Sequence, residues 1–166
     1  EEAVEKFEKL LDQFPGSQFA PSAQFTLGDY HFNQKKYEAA TLAYNSVVEN
    51  YPKSEMVPEA QSLLNELKEI KAYFDYENAM ALFDQEDYPR AAEALQKVVD
   101  AYLETETRAG AMANLGMSYE FLRKWKDAAR VYEQLVSSYA EQPESTAAVA
   151  FAREHLNWIT KNRLLS

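Results

Sequence analysis

Residues Tyr37 to Pro52 read YEAATLAYNSVVENYP, and their spacing decides the fold. Large side chains at Tyr37, Tyr44, Val47 and Tyr51 recur every three or four positions around one small residue, Ala40. That is the signature of a helix that buries a single face. The arrangement returns as Tyr88, Ala91, Leu95, Val98 and Tyr102, and again as Trp125, Ala128, Tyr132, Leu135 and Tyr139. Self-similarity at a period of roughly 34 to 50 residues marks a solenoid of stacked helical units. Such folds serve mainly to bind other proteins, so the repeat constrains function as well as shape.

Working outward, residues 1–14 match the second half of a repeat, with Phe7, Leu10 and Phe14 in the places of Tyr44, Val47 and Tyr51. Phe14-Pro15-Gly16-Ser17 closes that helix as Tyr51-Pro52-Lys53-Ser54 closes the later one. Proline cannot continue the helix before it, and the serine two residues on is suited to cap the next. Ala20-Pro21-Ser22-Ala23-Gln24 and Val57-Pro58-Glu59-Ala60-Gln61 place proline in the first turn of each following helix. The expected divisions are a partial repeat at 1–14, repeats at 18–52, 55–102 and 107–140, and a terminal or capping helix at 143–166.

Two helices of one unit touch closely only where side chains are small, and Gly28 with Ala40 is the expected contact. Gly116 and Ala128 repeat that pair. The middle unit is irregular. From Glu55 to Asp87 it has no glycine, and its one proline, Pro58, stands near the start. Leu63, Leu64, Leu67, Ile70, Phe74, Ala81 and Leu82 fit one helix of ~30 residues, about 45 Å long. A break near Lys71–Phe74 is the alternative. In the tail, Ala148, Phe151, Ala152, Leu156 and Ile159 have helical spacing.

The 166 residues can bury a substantial core, with 46% hydrophobic and 27% charged residues. Net charge is −10, from 27 acidic and 17 basic residues, which argues against nucleic acid as a partner. Cysteine is absent, excluding disulfides, zinc-thiolate sites and thiol nucleophiles. No apolar run reaches the ~20 residues of a membrane span. The chain opens on Glu1-Glu2-Ala3-Val4, without initiator Met, signal peptide or lipid-attachment Cys, so it is expected to be a fragment of a longer protein, with any lipid anchor outside it.

The unit from Pro21 to Pro52, with Leu27-Gly28, His31, Ala40, Tyr44 and Val47, resembles the tetratricopeptide pattern. Leu115-Gly116, Tyr119, Ala128, Tyr132 and Leu135 form a second such unit, although Ala140 stands where proline closes the pattern and Pro143 follows three residues late. The implied fold is an all-α, right-handed helical-hairpin solenoid with one elongated middle helix. Tyr51-Pro52-Lys53-Ser54, Ala60, Leu64, Leu67-Lys68-Glu69, Ala72 and Phe74-Asp75-Tyr76, followed by Tyr88 and Ala91, are similar to the YfiO (BamD) family of periplasmic lipoproteins of outer-membrane β-barrel assembly. That resemblance covers most of residues 15–140. It implies a periplasmic, outer-membrane-associated scaffold whose partners are assembly components. The missing lipidated Cys, and Ala101-Tyr102-Leu103 without a closing proline, depart from it. A periplasmic repeat family associated with the Tol–Pal system shares the Tyr-Pro-x-Ser closures, and the choice between the two stays open.

Chemistry is hard to find. His31 occupies a position usually aromatic and buried, so packing is expected of it. His155, beside Glu154, reads equally well as a solvated surface residue. Gly16, Gly28, Gly110 and Gly116 are scattered and form no phosphate loop, and no paired-histidine zinc spacing exists. Glu104 and Glu106 near Arg108 read as a hydrated acidic patch. Glu1, Glu2, Glu5 and Glu8 line the first helix, with Lys6 and Lys9 for surface pairs. Arg123-Lys124-Trp125-Lys126 reads as a turn whose tryptophan fills the aromatic slot of the repeat. No catalytic residue, metal site or cofactor is expected, and the chain reads as a non-enzymatic scaffold.

In tetratricopeptide arrays the first helix of each pair lines a concave groove. Carried over by that resemblance, the groove positions are Phe25, Asp29, Phe32 and Asn33 in the first unit. In the middle unit they are Tyr73, Tyr76, Met80 and Phe83, and in the third Met117, Glu120 and Phe121. Rings and thioethers supply much of the energy at protein interfaces. The row therefore predicts a groove for a peptide or loop of a partner protein, and the acidic surface favours basic segments and salt-dependent association. An architectural spacer within a longer protein is the rival reading.

Overall fold

The computed structural model describes residues 2–165, so Glu1 and Ser166 lie outside the described residues. The secondary structure among them is helical: α1 (Glu2–Gln13), α2 (Ala20–Asn33), α3 (Tyr37–Asn50), α4 (Val57–Asp84), α5 (Tyr88–Ala101), α6 (Thr107–Phe121), α7 (Trp125–Tyr139) and α8 (Thr146–Lys161), with a 3-10 turn at Pro143–Ser145 before the last. The middle helix is unbroken over 28 residues. None of these helices is long and apolar enough to cross a membrane. The chain divides into two compact units, residues 1–67 and 68–166, with the boundary inside the sequence of α4.

In the first unit, α2 packs against α1 and α3. Its core gathers Phe25, Ala40, Tyr44, Val47, Ala60 and Leu67. The spacing of Ala40, Tyr44 and Val47 turns all three to the interior, each without exposed surface. What faces Gly28 is the ring of Tyr44. A Cβ built at Gly28 would come within 2.9 Å of Tyr44 Cζ and nearer still to two other ring carbons. The close approach at Gly28 is therefore filled by a phenol ring. Glycine is required there because the ring takes the volume of any side chain.

The second unit packs α6 against α5, α7 and α8, and α7 against α8. Its core takes in Ala79, Leu95, Val98, Met112, Leu115, Ala128, Tyr132, Leu135, Ala152 and Ile159. Gly116 and Tyr132 reproduce the arrangement of Gly28 and Tyr44, with Tyr132 Cζ 2.6 Å from a Cβ built at Gly116. At the corresponding places of the middle helices stand Ala79 and Leu95, both fully buried. Where the small residue gains a methyl group, the large one loses its ring.

Sharp turns join the helix pairs despite the scarcity of glycine. Lys35, Glu86, Arg123 and Arg163 adopt φ of 56°, 60°, 57° and 56°. At each, two amides return to the helix end. Lys35 N donates to Phe32 O and Lys36 N to His31 O, and the pattern recurs after α4, α6 and α8. This is the Schellman closure, normally given to glycine because a Cβ is unfavourable there. Ser17 and Ser54 act earlier than expected: each hydroxyl accepts from the amide two residues on, Phe19 and Met56, at 3.2 Å, shaping the turn that leads into α2 or α4.

Candidate partner-binding face

The second unit holds an exposed face built by two helices running in parallel. Three contacts fix their register. Glu69 accepts from the amides of Glu106 and Thr107 at 2.8 and 3.0 Å and from the Thr107 hydroxyl. Seven residues on, Asn114 Nδ2 donates to the Tyr76 hydroxyl at 2.8 Å. Seven further, Phe83 meets Phe121 edge to face at 5.7 Å. Seven residues are close to two helical turns, so these rungs stay on one side of each helix. Glu69 also supplies the acceptors that the N-terminus of α6 lacks, since Glu106 offers no side-chain cap.

Along this face Tyr73 is 56% and Phe121 54% exposed. Tyr76 lies 6.3 Å from Tyr73 between ring centroids. Met80 packs part of its surface against the core cluster. Phe121 stacks on Tyr88 at 4.3 Å with the planes 3° apart, and Phe83 touches Tyr88 at 5.2 Å. Tyr88 thus joins the row, although its repeat position had marked it only as a packing residue. Met117 is half-buried on α6. The Tyr76 phenol pKa is raised, first by burial and then by Glu77, Tyr73 and Asp84, against the opposing hydrogen bond from Asn114.

Other groove positions turn out to be occupied by the protein itself. Glu120 Oε1 accepts from the Tyr132 hydroxyl at 2.8 Å and lies 2.7 Å from His155 Nδ1. Burial first, and Glu120 second, hold the Tyr132 phenol far above the ordinary range. His155 stacks on Phe151 at 3.9 Å, so it is part of a polar and aromatic cluster between α6, α7 and α8 and not a solvated surface residue. In the first unit Phe25, 8% exposed, lies 5.3 Å from Tyr44 and belongs to the core. Asp29 accepts from the Tyr44 hydroxyl at 2.6 Å, and Phe32 packs edge to face on Tyr37 at 6.0 Å. Only Asn33 of those four is fully open.

Several other polar side chains tie helices together. Arg108 donates through Nε to Val99 O at 2.8 Å and through Nη1 to the Tyr139 hydroxyl at 3.0 Å, tying α6 to the ends of α5 and α7 rather than to Glu104 or Glu106. Tyr102 donates to Asp75. His31 is half-buried beside Tyr30, and its Nδ1 is buried without a hydrogen-bond partner. Phe74, one of the apolar residues whose spacing fits a single long helix, is 64% exposed. Among the described residues no three His, Asp or Glu side chains are gathered to hold a metal ion.

A family model described as "Tetratricopeptide repeat" matches residues 1–55 and 76–143. No curated protein matches the chain.

Proposed function

We propose that this chain, which belongs to the tetratricopeptide-repeat family, is a non-enzymatic interaction scaffold that holds a peptide or loop of a partner protein on the ring-lined face of residues 68–166. The observation that carries this is the row Tyr73, Tyr76, Met80, Phe83 and Phe121, in which large apolar side chains remain open to solvent at both ends. Rings give up little conformational entropy for the area they bury, thioethers adapt to varied surfaces, and both are favoured at interfaces. A hydrogen bond from Asn114 and a stack on Tyr88 hold the row in place, so binding would not need to order it first. Its partners are proposed to be components of outer-membrane β-barrel assembly in a bacterial periplasm. The resemblance over residues 15–140 and the unbroken α4 support that reading. The Tol–Pal-associated role and the spacer role are its competitors.

Capture experiments decide among these. The chain immobilised against a periplasmic extract is expected to retain assembly components. Tyr73→Ser combined with Phe121→Ser, both exposed and so compatible with folding, is expected to lose at least ten-fold in affinity. Retention of Tol–Pal components instead would transfer the partner assignment. A folded double variant with undiminished capture would remove this face from the binding surface, and a monomeric chain that captures nothing would favour the spacer.

A further inference from the structure

The exposed ridge of α4 alternates apolar and acidic side chains: Tyr73, Glu77, Met80 and Asp84. They follow one another at four, three and four residues, which keeps them on one side of the helix. Glu77 and Asp84 are separated by about 10 Å along the axis. Glu86 lies in the turn beyond α4, and three other acids nearby are engaged. Asp75 receives the Tyr102 hydroxyl, Asp87 pairs with Arg90 at 2.5 Å, and Glu120 holds Tyr132 and His155. Glu77 and Asp84 are exposed and pair with no cation among the described residues.

The two stretches that build the face hold none of the chain's cations, which flank them at Lys71, Arg90, Arg123 and Lys124. Residues 72–89 and 109–122, which build both sides of the face, contain neither lysine nor arginine. Arg108, just before the second stretch, is committed to Val99 and Tyr139. Resting on the proposed binding face, we infer that its occupant is a cationic, apolar segment, with two Lys or Arg side chains about 10 Å apart flanking an apolar residue. One cation would meet Glu77 beside the rings of Tyr73 and Tyr76, and the other would meet Asp84. The apolar side chain between them would rest on Met80, Phe83 and Phe121. An acidic segment would bring like charge against two carboxylates, with no cation inside either stretch to receive it.

Three blocked decapeptides test this, identical except at two positions flanking a central phenylalanine, which carry arginine, glutamine or glutamate. Titration calorimetry at low salt is expected to show the arginine peptide binding at least ten-fold tighter than the glutamate peptide. High salt should shrink the gap, and Glu77→Gln with Asp84→Asn should nearly close it while leaving the glutamine peptide unchanged. Equal binding of the three peptides, lost on Phe121→Ser, would overturn the charge preference but keep the face. Binding indifferent to Phe121→Ser, or no binding by any peptide, would overturn both.

Discussion

The ring of Tyr132 lies against the backbone of Gly116 and leaves no room for a Cβ there. Tyr44 does the same at Gly28, sixteen residues apart in both cases, and the middle helices keep that spacing with Ala79 and Leu95. Gly116→Ala should therefore cost about 1–2 kcal/mol, because overpacking of about 1–3 kcal/mol exceeds the roughly 1 kcal/mol that alanine gains in helix propensity. Adding Tyr132→Leu, which recreates Ala79 with Leu95, should recover part of that loss. Urea unfolding of the four species would show a coupling of about 1 kcal/mol or more. Strictly additive effects would sink the idea.

Glu69 caps a helix 38 residues away in sequence. Glu69→Ala strips acceptors from the amides of Glu106 and Thr107, and should destabilise by about 1–2 kcal/mol. Hydrogen exchange should quicken first at those two amides. Unchanged protection there would mean that water replaces the carboxylate without cost.

Lys35, Glu86 and Arg123 hold a left-handed conformation without being glycine. A Cβ in that region costs roughly 1–2 kcal/mol, and glycine's greater freedom in the unfolded chain returns part of it. Glu86→Gly should raise stability by about 0.5–1 kcal/mol, whereas Glu86→Val should lower it. Thermal unfolding would read both, and the two substitutions moving the midpoint in the same direction would contradict the assignment.

Tyr44, Tyr102 and Tyr132 all have raised pKa values, from burial first and then from the carboxylates Asp29, Asp75 and Glu120. In the unfolded chain these phenols lose their protons near pH 10, while the folded protein keeps them. The folded state then binds more protons, so stability is intact below about pH 10 and falls above it, by up to about 1.4 kcal/mol per pH unit for each phenol. Tyr132→Phe should make the fall shallower. An unchanged slope between pH 10 and 12 would show that other groups govern alkaline unfolding.

Helical spacing makes the inward faces of α3, α5 and α7 legible, because a 3.6-residue period shows directly as Ala40, Tyr44 and Val47 and their counterparts. It shows which way a side chain points from its own helix, but not what covers it. Phe25 and Glu120 satisfy the groove pattern as well as Tyr73 does, yet Tyr44 covers one, and Tyr132 and His155 engage the other. The turns are harder still. Their usual marker is glycine, and Lys35, Glu86 and Arg123 stand in its place. Only their common position relative to the repeats could have revealed them. The cap at Glu69 has no local signal, since its partners lie in another helix.

The rungs at Glu69, Tyr76 and Phe83 meet those at Thr107, Asn114 and Phe121 with the same offset each time. Removing one residue between Tyr76 and Phe83 would swing everything beyond the deletion through about 100°, carrying Phe83 away from Phe121 while leaving Glu69 and Thr107 engaged. Length is thus a constrained variable inside these helices, so a lineage diversifying this surface must exchange side chains at constant helix length.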